Sequence, residues 1–247
     1  KLIQFDALFI RETTFVNHHT FRFAKKAQSL GLAVIDDPES ILKCTNKVYL
    51  FELLNANKVP NPKSFVISKE NYKSLQDKLA FPFILKQPDG AFSKGVFKIN
   101  NKEEFKNVTS TMFKDSELLI AQEYLPTPFD WRVGIIDGQA LYVCKYFMAQ
   151  EHWQIVNWNA HESTRDGSVE CISADQAPAG LIKIALKATS LIGKGLYGVD
   201  MKEVDGNFYV IEINDNPNID AGIEDKILKD KLYSTVMEVF LSKIKAD

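Results

Sequence analysis

Two Asp-Gly dipeptides, each set between β-rich runs, constrain this chain more than any other feature. They lie in "DWRVGIIDGQALYVCKYF", around Asp137-Gly138, and in "GVDMKEVDGNFYVIEINDNPNID", around Asp205-Gly206. Asp-Gly suits the left-handed turns that join twisted antiparallel strands, so both stretches predict hairpins. The second carries Asp200 on one strand and Glu212 and Asn214 on the other, where a strand pair would be expected to carry valines. Period-two geometry puts Glu212 and Asn214 on one face. Two neighbouring oxygen donors suit a hard cation such as Mg²⁺, although a polar strand face turned to water has the same composition. Asp200 depends on the turn. A two-residue turn pairs it with Ile211 and points it away from Glu212, whereas a three-residue loop with Gly206 left-handed brings it to the same face. A three-ligand site therefore predicts a loop of odd length.

Other segments alternate between helical and strand patterns. Phe5–Ile10, a helical stretch ending at Gly31 and "LAVID" form a strand–helix–strand unit of the size of a parallel crossover. Two short helices follow, the first opened by Asp37 or Pro38, the second capped by Thr45 or Asn46. Beyond Lys63 come "SFVI", a helix around Lys69–Leu79, "FPFILKQ", a glycine-bearing loop and "GVFKI", which read as an antiparallel pair, then a helix from near Lys102 and "ELLIAQEYL". "LIKIALKATSLIGKG" is an amphipathic helix with glycines at its end, and His152 to Ser173 has no clean period.

Balanced charge, 30 basic against 32 acidic residues, gives no footprint for nucleic acid or an anionic membrane. Cys44, Cys144 and Cys171 are odd in number and follow no metal spacing, so three reduced thiols in a cytoplasmic protein are expected. No apolar run approaches the roughly 18 residues of a membrane span. The start at Lys1, entering an apolar strand, suggests a piece of a longer protein.

Two further segments carry chemistry. Lys86 lies within the apolar "FILKQ", where a charge needs an anion to meet it, and the following Gly90, Ser93, Lys94 and Gly95 can lie over phosphates. Glycine-bearing hairpins with a lysine are common, and the loop alone leaves both readings open. In "LLIAQEYLPTPFDWR", Glu123 to Leu125 can offer backbone groups to a flat heterocycle and Asp130 can accept from ribose hydroxyls, though most linkers of this kind do neither.

In order and spacing, "TNKVYLFELLNANKVPNPKSFVI", "FPFILKQPDGAFSKGV", "LLIAQEYLPTPFDWRVGIIDGQALYVCKY" and "LYGVDMKEVDGNFYVIEINDNPNIDAGIED" resemble the ATP-grasp superfamily, specifically the RimK-like carboxylate–amine ligases. "DALFIRETTFVNHHTFRFA", "EHWQIV" and "NDNPNIDAGIED" are similar to the type with an additional N-terminal domain. The resemblance implies an α+β fold in which two α+β subdomains, residues 45–125 and 126–247, clasp ATP, preceded at 1–44 by part of a pre-ATP-grasp α/β domain. It implies that Lys47, Lys86 and the loop with Ser93, Lys94 and Gly95 hold phosphates. Gln122, Glu123, Tyr124 and Leu125 match the adenine segment, with Asp130 at the ribose. Asp200, Glu212 and Asn214 match ligands of two Mg²⁺ ions, for which Mn²⁺ can substitute. Arg132 and Lys145 would face the phosphoryl and carboxylate groups, with Arg11 and Arg165 as weaker candidates. The implied partners are ATP, a carboxylate and an amine from an amino acid, a peptide or a protein tail. The competing class is an ATP-binding sensor or scaffold without turnover. Residues 152–173 depart from the family's basic, asparagine-bearing stretch, and Gln154, Asn157 and Asn159 find no match there.

Overall fold

The structure, a computed structural model, describes residues 1–75, 78, 80–90 and 95–246. Strands β1 (Ala7–Phe9) and β2 (Ala33–Ile35) pair in parallel through the crossover helix α1 (His19–Ser29), as the sequence predicts. The helix buries Thr20, Ala24 and Ala27, and Gly31 takes a φ of +76° just beyond its end. Helix α2 (Pro38–Thr45) starts at Pro38, with the Asp37 carboxylate accepting from the N–H groups of Glu39 and Ser40. Asn46 caps α3 (Lys47–Ala56) in the same way, accepting from Val48 and Tyr49.

Strands β3 (Ser64–Ser68), β4 (Phe83–Lys86), β5 (Val96–Ile99) and β6 (Leu118–Glu123) form an antiparallel sheet in the order β3-β6-β4-β5. Helix α5 (Lys102–Met112) closes its core, where Phe83, Ile99, Phe105 and Leu119 are buried. Of the helix expected around Lys69–Leu79, Tyr72–Leu75 forms the single turn α4, and positions 76, 77 and 79 lie outside the described residues.

The second sheet contains β7 (Phe129–Ile136), β8 (Gln139–Phe147), β9 (Val169–Ile172), β10 (Leu196–Val204) and β11 (Asn207–Asn214), ordered β11-β10-β7-β8-β9. Helix α6 (Ala179–Ser190) lays Leu181, Ala185 and Ala188 on one face, against Trp131, Val133, Val199 and Met201. The other face meets Leu232, Val236 and Phe240 of α7 (Asp230–Ala246) together with Ala33 and Ile35 of β2. Strand β9 and helix α7 are additions to the elements read from sequence.

Both Asp-Gly pairs are two-residue turns with positive φ at each residue, 46° and 74° at Asp137-Gly138 and 51° and 75° at Asp205-Gly206. The odd-length loop expected at Asp205-Gly206 is therefore corrected. From that turn alone Asp200 should face Ile211, yet it pairs with Glu212, because Ile211 is an extra residue in a β-bulge and shifts the register by one. The first hairpin has a matching irregularity: Gly134 pairs with Tyr142 and Ile135 with Ala140, leaving Leu141 over.

The expected three reduced thiols are also corrected. Strand β9 returns beside β8 so that Cys144 and Cys171 are cross-strand neighbours, and they form a disulfide. Cys44 is free and buried.

Gly134 is where the Tyr142 ring crosses β7. A methyl group there would lie 2.2 Å from the ring, and Tyr142 is nearly fully buried. Gly134→Ala is expected to cost about 1–3 kcal/mol through overpacking, measured by denaturant unfolding. An unchanged midpoint would mean that the ring can move aside.

Candidate active site

The bulge at Ile211 assembles the site. Asp200 of β10 has Arg132 of β7 on one side and Glu212 of β11 on the other as direct cross-strand partners, so the three share a face. Arg132 grips Asp200 with two parallel bonds, Nε to Oδ1 at 2.6 Å and Nη2 to Oδ2 at 2.8 Å. Asn214 Nδ2 donates to Asp200 Oδ2 at 3.0 Å. Glu212 meets the Lys47 ammonium at 2.8 Å. Lys47 stands at the first position of α3, where the helix dipole disfavours a cation, and its Nζ also donates to the Gly90 carbonyl.

Lys86 is nearly fully buried at the end of β4 and donates to Gln122 Oε1 at 3.0 Å, while Gln122 Nε2 donates to Ser64 Oγ at 3.0 Å. Desolvation pulls the Lys86 ammonium down to about 8, against the partly compensating charge of Glu212. Burial acts to raise Glu212, but Lys47 foremost, with Lys86 and Arg132, outweighs it and holds the carboxyl below the usual range. A cavity of about 20 Å³ is lined by Lys47, Lys86, Gln122, Val210 and Ile211, between the two sheets. Lys47 also lines a much larger cleft of about 1010 Å³, whose walls include Arg132, Asp200, Glu212 and Asn214.

Several predicted residues stand elsewhere. Glu123 ends β6, and its N–H is taken by the Lys63 carbonyl at 2.8 Å, so any N–H offered to a heterocycle comes from Tyr124 or Leu125. Tyr124 lies under the Lys98 ammonium, 4.2 Å from the ring centre. Asp130 is bound by Lys202 at 2.5 Å and accepts from Thr127 at 3.3 Å; burial raises its pKa, with Lys202 opposing. Gly95 has a φ of +70°, whereas Ser93 and Lys94 lie outside the described residues. Lys145 is not brought to the site. It pairs with Trp131, and its ammonium lies 5.0 Å and 5.1 Å from the centres of the Phe129 and Trp131 rings, on the sheet face opposite Arg132. The extra Leu141 causes this, since an unbroken ladder from the Asp137-Gly138 turn would set Lys145 opposite Asp130 on Arg132's face.

The far wall of the cleft includes Arg11 and Arg165, the weaker candidates of the sequence, and neighbours that the sequence did not single out. Thr14 Oγ1 donates to buried Asp215 at 2.7 Å, and desolvation raises that carboxyl to about 6. Asn216 Nδ2 donates to the Ile10 carbonyl at 2.8 Å and to Asp36 at 2.9 Å. Arg11 Nη2 donates to the Pro217 carbonyl at 2.8 Å, and the Tyr142 hydroxyl donates to the Asn218 carbonyl at 2.8 Å. Tyr146 donates to Glu224 and lies beneath Arg132. A signal was present in the polar run "NDNPNID" at the end of a strand. Within 152–173, a bridge between Val156 and Asp166 folds the stretch over the cleft, presenting Ile155, Trp158 and Arg165. Arg165 Nε is buried with no hydrogen-bond partner. Among Gln154, Asn157 and Asn159, Gln154 bonds His152 and Asn157 Oδ1 accepts from the Asn159 N–H at 3.1 Å, so they shape the stretch itself.

A family model described as the RimK-like ATP-grasp domain matches residues 44–232. Over 199 residues the chain is 25% identical to the alpha-aminoadipate–LysW ligase LysX of Saccharolobus solfataricus, covering 77% of this chain and 68% of the relative. It is 26% identical over 196 residues to human N-acetylaspartylglutamate synthase A, covering 76% of this chain and 48% of that one. The chain thus spans about two thirds of the first relative and about half of the second. Among solved structures, D-alanine–D-alanine ligase from Bacillus anthracis is similar with a TM-score of 0.73 at 22% identity, over 90% of this chain and 76% of that one. A RimK domain ATP-grasp protein from Sphaerobacter thermophilus is similar with a TM-score of 0.68 at 14% identity, over 96% and 81%. At such identities these two likenesses concern the fold. Among the described residues, no helix is long and apolar enough to cross a membrane.

Proposed function

This chain belongs to the RimK-like ATP-grasp family, and from that premise we propose that it is an ATP-dependent ligase joining a carboxylate to an amine. The observation that carries the reading is the convergence of Asp200, Glu212 and Asn214 on one strand face, with Arg132 and Lys47 bonded to the two carboxylates. We take residues 1–44 as the end of a preceding α/β domain, 45–125 as the subdomain bearing phosphate and adenine contacts, and 126–247 as the subdomain bearing the metal ligands.

The three ligands offer oxygen donors alone, since Asn214 spends its amide nitrogen on Asp200, and such a set fits Mg²⁺. Bound there, the metal neutralises charge on the ATP phosphates. The residues of the chain do the rest. Lys86 and Lys47 hold phosphate oxygens, Tyr124 or Leu125 offers an N–H to adenine, and Arg132 faces the transferring phosphoryl group. The substrate carboxylate oxygen bonds to the γ-phosphorus as the bond to ADP breaks. The amine then bonds to the carbonyl carbon, phosphate departs and the amine loses a proton. Catalysis is chiefly positioning and charge compensation, so the chemistry needs neither a cysteine nor a serine nucleophile. The pocket of about 20 Å³ between the sheets is smaller than a nucleotide, so ATP entry would part the ends of β4 and β6 from β11.

In an assay of ADP release across pools of amino acids, peptides and small carboxylic acids, at least one pair is expected to raise the rate above background by tenfold or more. ATP binding without stimulation by any pool would favour a sensor instead.

A further inference from the structure

Away from the oxygen-ligand site, the segment between β1 and α1 brings two imidazoles and a carboxylate together. His19 Nε2 lies 3.0 Å from one carboxylate oxygen of Glu12, and His18 Nε2 lies 3.8 Å from the other. One donor atom from each of the three residues falls within 4.8 Å of the others. Ligands at the corners of a tetrahedron around zinc stand about 3.3 Å apart for bonds of about 2.0–2.1 Å, so small side-chain rotations would close the set. His18 Nδ1 contacts Thr20 Oγ1 at 3.1 Å, which fixes one ring nitrogen and leaves Nε2 turned to Glu12, the arrangement that outer contacts give metal-binding histidines.

Helix formation does not account for these residues. His18 holds the N-cap position of α1 without making a side-chain cap bond, and the first turn contains no acidic residue. Ser, Thr, Asp or Asn would serve better there. We infer that Glu12, His18 and His19 form a binding site for a borderline transition-metal dication of the Zn²⁺ type. Imidazole selects Zn²⁺, Ni²⁺ or Cu²⁺ over Mg²⁺, so this site and the carboxylate–amide set at Asp200, Glu212 and Asn214 discriminate by donor type. The side chains of Glu12, His18 and His19 are 57%, 36% and 45% exposed, so an ion reaches them from solvent and keeps an open position for water.

The site has a structural consequence. Glu12 belongs to the stretch that supplies Arg11, Thr13, Thr14 and Phe15 to the cleft wall, with Arg11 on Pro217 and Thr14 on Asp215. An ion holding Glu12 to His18 and His19 ties that wall to the start of α1. Zn²⁺ binding by these three side chains does not require ligase activity.

The test is a Zn²⁺ titration against a chromophoric chelator in excess Mg²⁺, which occupies the oxygen site. The wild type is expected to bind one equivalent. In His18→Ala/His19→Ala, affinity for that equivalent should fall by at least about 100-fold, and in Glu12→Gln by about 10-fold. Hydrogen exchange across residues 11–18 should slow with Zn²⁺ in the wild type and not in the double variant. Circular dichroism in chelator should show both variants folded, as expected for partly exposed side chains. Equal affinity in either variant, or a wild type that binds no Zn²⁺ once Mg²⁺ is in excess, overturns the assignment.

Discussion

If Glu212 is the metal ligand we propose, Glu212→Gln is expected to reduce ADP release by more than about 100-fold, since loss of a direct ligand exceeds what loss of an outer-shell contact costs. The substitution keeps size and one oxygen while removing the charge that Lys47 meets at 2.8 Å. The same charge steadies Lys86, so the variant also loses stability, by about 1–2 kcal/mol once the 28% exposure of the Glu212 side chain is taken into account. Thermal denaturation should show a fall of a few degrees. The stability difference has a defined pH window. Because the folded pKa lies below the ordinary 4.5, the unfolded state binds more protons as the pH falls, so the wild-type advantage is present above 4.5 and disappears as pH drops through the lower folded value. A folded variant that releases ADP at the normal rate would remove Glu212 from the metal site.

What could be read from sequence, and what could not, divides at the two hairpins. Asp137-Gly138 and Asp205-Gly206 announced the turns, because both residues must take positive φ and few dipeptides do so readily. Beyond the turns, the loop length expected for Asp200 was wrong although its face was right, and Lys145 lies on the face opposite the one expected. Asp200 shares Glu212's face through the bulge at Ile211, when the turn alone would have kept them apart. Lys145 leaves Arg132's face through the extra Leu141, when the turn alone would have kept it there. Each bulge answers to contacts from distant segments. β11 is an edge strand, and Val210, beside the extra Ile211, donates its N–H to the Pro60 carbonyl at 2.9 Å. In β8 the extra Leu141 adjoins Tyr142, whose ring crosses Gly134 and whose hydroxyl reaches the Asn218 carbonyl. No period-two pattern carries that information. The disulfide was hidden for a related reason: β9 emerges from an aperiodic stretch, and without its pairing to β8 the two cysteines look remote. The segments proposed to carry the phosphate and metal residues stood out because a charge inside an apolar strand is costly enough to need a reason.

Lys86 tests that last argument through pH. Lys86→Met is expected to weaken ATP binding by about 10- to 100-fold, the value of one charged hydrogen bond of about 1.5–3 kcal/mol. Its effect on stability is a balance. Burial lowers the ammonium from 10.5 to about 8, a cost of about 3 kcal/mol that Met avoids, while the Gln122 carbonyl loses its donor at a cost of about 1–3 kcal/mol. Near neutral pH the variant should therefore equal the wild type or exceed it by up to about 2 kcal/mol. The slope is more telling. Between pH 8 and 10.5 the unfolded wild-type chain binds a proton that the folded one has lost, so wild-type stability rises across this window and is lowest below it. Lys86→Met lacks this rise. ATP affinity moves oppositely, because the phosphates need the ammonium: wild-type affinity should decline about tenfold per pH unit above 8 until it meets that of the variant. Nucleotide titrations from pH 7 to 10 measure both curves. If wild type and Lys86→Met show the same ATP affinity with the same pH dependence, Lys86 holds no phosphate, and its buried charge is retained for its bond to Gln122 and its proximity to Glu212.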